Sequence, residues 1–111
     1  MNLKVSEIAE MCGGRLVGSG ENTVTSFYID SRETTPGKMF VPIRGENTDA
    51  HRFIPQVFAS GASATFSEEP LDAPAGDVVY VENTRAALQK VAERYRERFN
   101  IPVIGITGSV G

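Results

Sequence analysis

Residues 23 to 43 read TVTSFYIDSRETTPGKMFVPI, and this stretch decides the fold. Residues 23–29 and 38–43 are rich in β-branched, aromatic and other apolar residues, so they predict two strands. Pro36 and Gly37 predict a turn before the second strand. Pro42 cannot donate a hydrogen bond to a strand neighbour, so the second strand is expected to lie at a sheet edge or to end there.

Short helices and strands alternate on both sides of this pair. Residues 84–99 give the clearest helix, because their apolar residues recur at helical spacing and Asn83 can cap the start. A shorter helix over residues 7–12 is predicted to begin after Ser6 as its N-cap. The other predictions are a helix over 53–60 and strands over 15–18, 62–66, 78–81 and 101–107. This alternation predicts an α/β domain, with flanking helices on a small mixed, partly parallel sheet.

The composition of the chain argues against nucleic acid, a membrane span and an internal disulfide. The chain has 111 residues, which suits one domain with one modest core, and a formal net charge of −3, so nucleic acid is not an expected partner. The sequence contains no apolar run of about 20 residues, so no membrane span is expected. Cys12 is the single cysteine. An internal disulfide is therefore impossible, and a reducing cytosol is the simplest location.

Two polar segments follow the two strands and carry the chemistry. The first is Asp30, Ser31 and Arg32. The second contains Arg44, Gly45, Asn47, Thr48, Asp49 and His51. Arginine binds phosphate and the amide group of asparagine can read a base edge, so the pair predicts a site for a part-anionic, part-amide ligand such as a nucleoside diphosphate.

Each of these residues also has a structural interpretation. Asp30 and Ser31 can build a local turn, and both arginines can be ordinary surface charges. His51 can serve as a cap or as a structural hydrogen-bonding group. It has no cysteine or second histidine nearby, so no metal site is predicted.

The last eleven residues, IPVIGITGSVG, pair an apolar strand with a glycine-rich turn. Phosphate loops of nucleotide-binding proteins are built this way, although Gly105 and Gly111 enclose five residues where the general pattern has four. The alternative is a buried strand with a Gly/Ser tail. In a phosphate loop, lysine and then serine or threonine would come next. We therefore expect the sequence to be the N-terminal piece of a longer nucleotide-using protein.

Residues 29–54 resemble the N-terminal domain of the Mur ligases, which build the peptide stem of bacterial cell-wall precursors. The matching features, in order, are Asp-Ser-Arg, Pro-Gly, Phe-Val, Gly, Asp-Ala-His and Phe-Ile. Residues 61–64 and 81–88 fit as well, except that Asn83 stands where aspartate is usual. The end of the chain is similar to the family's own phosphate loop, at Thr107, Gly108, Ser109, Val110 and Gly111.

The resemblance implies an organisation and a reaction. Residues 1–100 would form a UDP-substrate-binding domain, and residues 101–111 the first strand and partial phosphate loop of a central ATPase domain. Thr-Gly-Ser-Val-Gly is similar to the member that adds D-alanyl-D-alanine to UDP-N-acetylmuramoyl-tripeptide. ATP would activate the tripeptide carboxylate as an acyl phosphate for attack by the D-alanyl-D-alanine amine, and Mg²⁺ would neutralise the phosphates. Central and C-terminal domains of the same chain would be the partners, in the bacterial cytoplasm.

The resemblance also assigns roles within this chain. Asp30, Ser31 and Arg32 would line the uridine and diphosphate site, with Ser31 on the uracil or ribose and Arg32 or Arg44 near the diphosphate. The second polar segment would face them. No catalytic residue and no bound cofactor are expected in these 111 residues. The alternatives are the family member that adds the third stem residue, a non-catalytic nucleotide-binding module, and an unrelated phosphate-loop hydrolase.

Overall fold

The computed structural model describes residues 2–30, 32, 37–44, 49–72 and 74–98. The strands are β1 (Leu3–Lys4), β2 (Arg15–Val17), β3 (Thr23–Val24), β4 (Ser26–Tyr28), β5 (Lys38–Phe40), β6 (Ala64–Ser67) and β7 (Asp77–Tyr80). The helices are α1 (Val5–Cys12), α2 (Ile54–Ala59) and α3 (Thr84–Arg98), with a 3-10 turn at Ala50–Phe53 before α2. None of the helices in these ranges is both long enough and apolar enough to span a membrane.

The main sheet has five strands in the order β2-β7-β6-β5-β4. Strands β4 to β7 run parallel, and β2 joins β7 antiparallel. Strands β1 and β3 pair antiparallel as a separate two-stranded sheet. The mixed, partly parallel α/β architecture expected from the sequence is confirmed. Because β4 to β7 are parallel, the loops that follow them all emerge at one edge of the sheet, called here the carboxyl edge.

The helices cover both faces of the sheet. Met39 belongs to a core cluster that includes residues of α1 and α3, whereas the next residue, Phe40, belongs to a second cluster with Ile54 and Val57 of α2. Successive side chains of a strand point to opposite faces, and Met39 and Phe40 are both fully buried. Burying a side chain of this size contributes about 1.5–3 kcal/mol. Strand β5 is therefore anchored from both sides, which fixes the position of the residues that follow it as far as Arg44.

Residues 23–29 do not form one strand, which corrects the prediction. The run divides at Thr25 into β3 and β4, which belong to different sheets. The Thr25 backbone N–H and hydroxyl both donate to the Gly37 carbonyl, at 2.7 and 3.0 Å. Because Thr25 makes these bonds to the turn before β5, the chain passes at this residue from the two-stranded sheet to the five-stranded sheet.

Pro42 ends its strand but does not mark an edge. Strand β5 stops at Phe40, before Pro42, and lies between β4 and β6 in the sheet interior. Of the two expectations for this proline, the early end is confirmed and the edge position is wrong. The missing N–H has no consequence here, because the residue lies beyond the ladder.

The other element boundaries shift by a few residues. Helix α1 begins at Val5 and not at residue 7, because the backbone N–H groups of Val5 and Ser6 donate to the carbonyls of Asn22 and Gly20. Ser6 is therefore not the N-cap. Helix α3 begins as predicted, with the Asn83 side chain accepting from the Ala86 N–H at 2.9 Å. The strand predicted over 101–107 lies outside the described residues.

Candidate functional site

Charged and polar groups follow every parallel strand at the carboxyl edge. Asp30 follows β4, Arg44 follows β5, Glu68 follows β6, and Thr84 comes shortly after β7. Pairing of Tyr28 with Phe40, and of Phe40 with Thr65, keeps the strand ends in register. The fold therefore brings together loops that are up to 54 residues apart in sequence.

Asp30 and Arg32 form a pair within the first loop. One Asp30 carboxylate oxygen accepts from the Arg32 backbone N–H at 2.9 Å and from Nε at 3.0 Å, and the other accepts from Nη2 at 2.9 Å. The Arg32 side-chain bonds, followed by the backbone bond, lower the pKa of Asp30 to about 2. Asp30 thus builds the local turn that was one interpretation of this motif, and the Arg32 side chain stays 85% exposed. Ser31 lies outside the described residues.

Arg44 is surrounded by carboxylates. Its Nε donates to Asp49 Oδ2 at 2.8 Å, Nη2 to Glu69 Oε2 at 2.5 Å, and Nη1 lies 3.3 Å from Glu68 Oε1. The hydrogen bonds that Arg44 donates to Asp49 and then to Glu69 raise the pKa of Arg44. One positive charge faces three negative charges, which leaves this cluster with a net charge of −2.

His51 connects the second loop to the segment after β6. Its Nδ1 lies 2.7 Å from Asp49 Oδ1, and its Nε2 accepts from the Glu68 backbone N–H at 2.9 Å. Since Nε2 is an acceptor, the ring proton resides on Nδ1 and is donated to Asp49. The ring is 1% exposed. Of the proposed roles of His51, structural hydrogen bonding is the one that this geometry shows.

Asp49 is held as a carboxylate by this environment. Burial acts to raise its pKa, but the His51 backbone N–H, the Arg44 guanidinium and the His51 ring together lower it to about 2. The same bond from the His51 backbone N–H, at 2.9 Å, makes Asp49 the cap of the 3-10 turn. One carboxylate therefore connects the arginine, the histidine and the start of a turn.

Glu68 extends the network to α3, and sequence reasoning missed it. Glu68 Oε2 accepts from the Thr84 backbone N–H at 2.8 Å and lies 3.2 Å from the Thr84 hydroxyl, which donates to the Pro42 carbonyl at 2.7 Å. The Glu68 side chain is 12% exposed and Thr84 is 1% exposed. The position of Glu68 in the sequence could have indicated it, because Glu68 directly follows strand β6 and Asp30 lies two residues after strand β4. We define residues Arg44, Asp49, His51, Glu68, Glu69 and Thr84 as the edge network.

A groove with a volume of about 610 Å³ lies beside these loops. Its described lining residues are Ile29, Ile43, Ala50, Arg85, Leu88, Gln89 and Ala92. Three of them are chain neighbours of predicted site residues: Ile29 of Asp30, Ile43 of Arg44, and Ala50 of Asp49 and His51. The groove wall is mainly apolar, and Ile29 is 60% exposed. Ligand sites typically combine such a wall with a few placed polar groups.

The structure groups the predicted residues unevenly. Arg44, Asp49 and His51 belong to one hydrogen-bonded network, whereas Asp30 and Arg32 form a separate pair at the neighbouring strand end. Outside the described residues lie Ser31, Gly45, Asn47, Thr48, Thr107, Gly108, Ser109, Val110 and Gly111. Within the ranges that the structure describes, no group of three or more His, Cys, Asp or Glu residues is arranged to hold a metal ion.

Comparison with known proteins assigns the family. Residues 23–104 match the model described as "Mur ligase family, catalytic domain". This match covers most of the chain, so the chain belongs to the Mur ligase family. The resemblance noted in the sequence is thereby confirmed.

Individual relatives in that family carry two different names. The chain is 40% identical over 90 residues to the UDP-N-acetylmuramoyl-tripeptide–D-alanyl-D-alanine ligase of Synechocystis, covering 79% of this chain and 20% of the relative. It is 33% identical over 108 residues to the UDP-N-acetylmuramoyl-L-alanyl-D-glutamate–2,6-diaminopimelate ligase of Halalkalibacterium halodurans, covering 96% of this chain and 22% of the relative.

A solved structure has the same fold. The crystal structure of MurF from Acinetobacter baumannii matches with a TM-score of 0.77 and 26% identity, over 88% of this chain and 22% of that one. The chain thus spans about a fifth of the length of these relatives.

Proposed function

We propose that this chain is the UDP-substrate-binding part of an ATP-dependent ligase that joins D-alanyl-D-alanine to UDP-N-acetylmuramoyl-tripeptide in peptidoglycan synthesis. The observation that carries the binding role is the groove at the carboxyl edge, bordered by the two polar loops. The particular reaction is supported by the name of the Synechocystis relative and by the similar fold of the Acinetobacter protein. A bacterial cytoplasmic location goes with this proposal.

The groove and the loops suit different parts of a uridine nucleotide. The apolar wall of Ile29, Ile43 and Leu88 can cover a pyrimidine ring, and the Gln89 side chain offers both a donor and an acceptor for its polar edge. The polar loops would then meet the ribose and diphosphate. The contacts that Ser31, Asn47 and the other predicted loop residues would make with the ribose and diphosphate remain proposals.

Binding of the nucleotide end would serve a reaction at the other end of the substrate. Contacts remote from the reacting carboxylate can orient it, and positioning of this kind can supply several kcal/mol of the barrier reduction, roughly 7–11 at most. Residues 1–100 would bind the nucleotide end of the substrate. Residues 101–111 would begin the ATPase domain, where ATP and Mg²⁺ would bind. These last residues lie outside the described part of the chain.

Titration of the isotope-labelled 111-residue chain with UDP tests the binding role. We expect an affinity of about 4–6 kcal/mol, in the millimolar to high-micromolar range, because a second domain would normally complete the site. Ser31→Ala and Arg32→Ala should each weaken it, whereas Arg94→Ala on α3 should not. Unchanged affinity in the first two variants would contradict their assignment, and nanomolar binding would contradict an incomplete site.

The diaminopimelate-adding ligase is the second candidate, because relatives with that name match at similar identity. Assay of the whole protein with UDP-linked acceptors of two and three residues separates the two. Our proposal requires turnover with the tripeptide and D-alanyl-D-alanine. Turnover only with the dipeptide acceptor and diaminopimelate would support the alternative. ATP turnover that is independent of either acceptor would contradict both candidates.

A further inference from the structure

We propose that Arg85 is the cation that meets the anionic part of the nucleotide, and that Arg44 is a positioning residue. This inference rests on the proposed function. It concerns which arginine at the carboxyl edge is available to a ligand, because sequence reasoning considered only Arg32 and Arg44. Arg85 was not singled out from the sequence.

Arg44 is poorly suited to bind a diphosphate. Asp49, Glu68 and Glu69 occupy its guanidinium, and the cluster around it has a net charge of −2. A diphosphate approaching Arg44 would meet three like-charged groups and would have to replace hydrogen bonds that already exist. The same contacts hold the second loop against the segment after β6. Arg44 therefore acts on a ligand through the loop that it fixes.

Arg85 has the opposite environment. It is exposed, lines the groove, and forms no ion pair with any residue in the described ranges. Its place on α3 is well defined, because Thr84 and Asn83 fix the start of that helix through the bonds to Glu68, Pro42 and Ala86. An arginine at a fixed helix position beside an apolar wall can bind phosphate oxygens with a bidentate contact.

Arg32 occupies an intermediate position. Its guanidinium pairs with the carboxylate of Asp30. Its side chain is largely exposed, and a second contact to the ligand from Arg32 is compatible with the role of Arg85. The inference requires only that Arg85 contributes more to recognition of the anion than Arg44 does.

Comparing UDP with uridine separates contacts to the anion from contacts to the nucleoside. Arg85→Gln should weaken UDP binding about tenfold and leave uridine binding within about twofold of wild type, because only UDP carries the phosphates. Arg85→Lys should recover part of the UDP affinity. Arg44→Gln should weaken both ligands by a similar factor and lower thermal stability. Arg94→Gln, on the same helix, is the matched control and should change neither.

The titrations are followed by NMR shifts of the 111-residue chain, which also show whether each variant is folded. A loss of UDP affinity below twofold in Arg85→Gln would overturn the inference, as would a selective loss of UDP binding in Arg44→Gln. If the wild-type chain binds neither UDP nor uridine, the proposed function itself fails and the inference with it. Uridine binding that survives while Arg85→Gln has no effect would refute the inference alone.

Discussion

Arg44 and Arg85 border the same edge of the sheet but have contrasting surroundings. Arg44 sits among three carboxylates in a network that continues through His51 and Glu68 to α3. Arg85 projects from the first turn of α3 into a mainly apolar groove, without a carboxylate partner among the described residues. The comparison shows that two arginines at one edge of a sheet can differ in whether their charge is already neutralised by carboxylates. A neutralised cation organises the fold, and an unneutralised one beside a groove is available for binding.

The largest expected effect is the loss of His51 from the edge network. His51→Ala should lower the free energy of unfolding by about 2–4 kcal/mol, because it opens a cavity and leaves the Glu68 N–H without its acceptor. Urea denaturation measures this. The neighbouring exposed residue provides the control, since Arg52→Ala should stay within about 0.5 kcal/mol of wild type. Equal effects in the two variants would mean that the network does not stabilise this edge.

A smaller loss is expected where the network meets α3. Thr84→Val preserves the shape of the side chain but leaves the Pro42 carbonyl without its 2.7 Å donor, so unfolding should become about 1–2 kcal/mol easier. The exposed Thr23→Val in β3 is the matched control and should be nearly neutral. A neutral Thr84→Val would show that the bond from the Thr84 hydroxyl to the Pro42 carbonyl does not stabilise the start of α3.

The groove is expected to affect binding and not stability. Ile29→Ser should leave the free energy of unfolding within about 0.5 kcal/mol of wild type, because Ile29 is 60% exposed. It should weaken UDP and uridine alike by about fivefold, through the loss of apolar contact with the base. The matched control is Val17→Ser on β2, where the side chain is also exposed, and it should leave both affinities unchanged. If Val17→Ser were as damaging as Ile29→Ser, the base would not bind in this groove.

The smallest expected effect is on the dependence of folding stability on pH. The folded-state pKa of Asp49 is about 2, below its usual value of about 3.9, so its contribution is fully present above pH 4 and is lost as the pH falls through about 2. Its side chain is 39% exposed, so solvent screening limits the contribution to less than about 1 kcal/mol. Denaturation of wild type and Asp49→Asn at pH 5 and pH 2.5 should give a smaller pH dependence in the variant. An identical pH dependence would contradict the role given to Asp49.

Local patterns predicted most of the fold. The apolar spacing of α3 and the β-branched strands were sufficient to place nearly all elements, and their alternation indicated a partly parallel sheet. The break at Thr25 escaped prediction because it depends on bonds to Gly37, twelve residues away. The position of β5 inside the sheet depends equally on partners that no local pattern encodes.

The candidate site was predicted only in part. Polar residues directly after strands β4 and β5 were visible in the sequence, since parallel strands end at a shared edge. Glu68 and Thr84 were not, because their importance comes from contacts to His51 and Pro42 across 17 and 42 residues. Arg85 was missed for a related reason: only the packing of α3 beside Ile29 and Ile43 shows that it borders a groove.

A crystal structure of the chain with UDP tests the central claim most directly. We expect the uracil in the groove between Ile29 and Leu88, with the diphosphate near Arg85 and the polar loops. A nucleotide bound away from the carboxyl edge, for instance between Glu10 and Arg94 where α1 and α3 form another depression, would contradict the account.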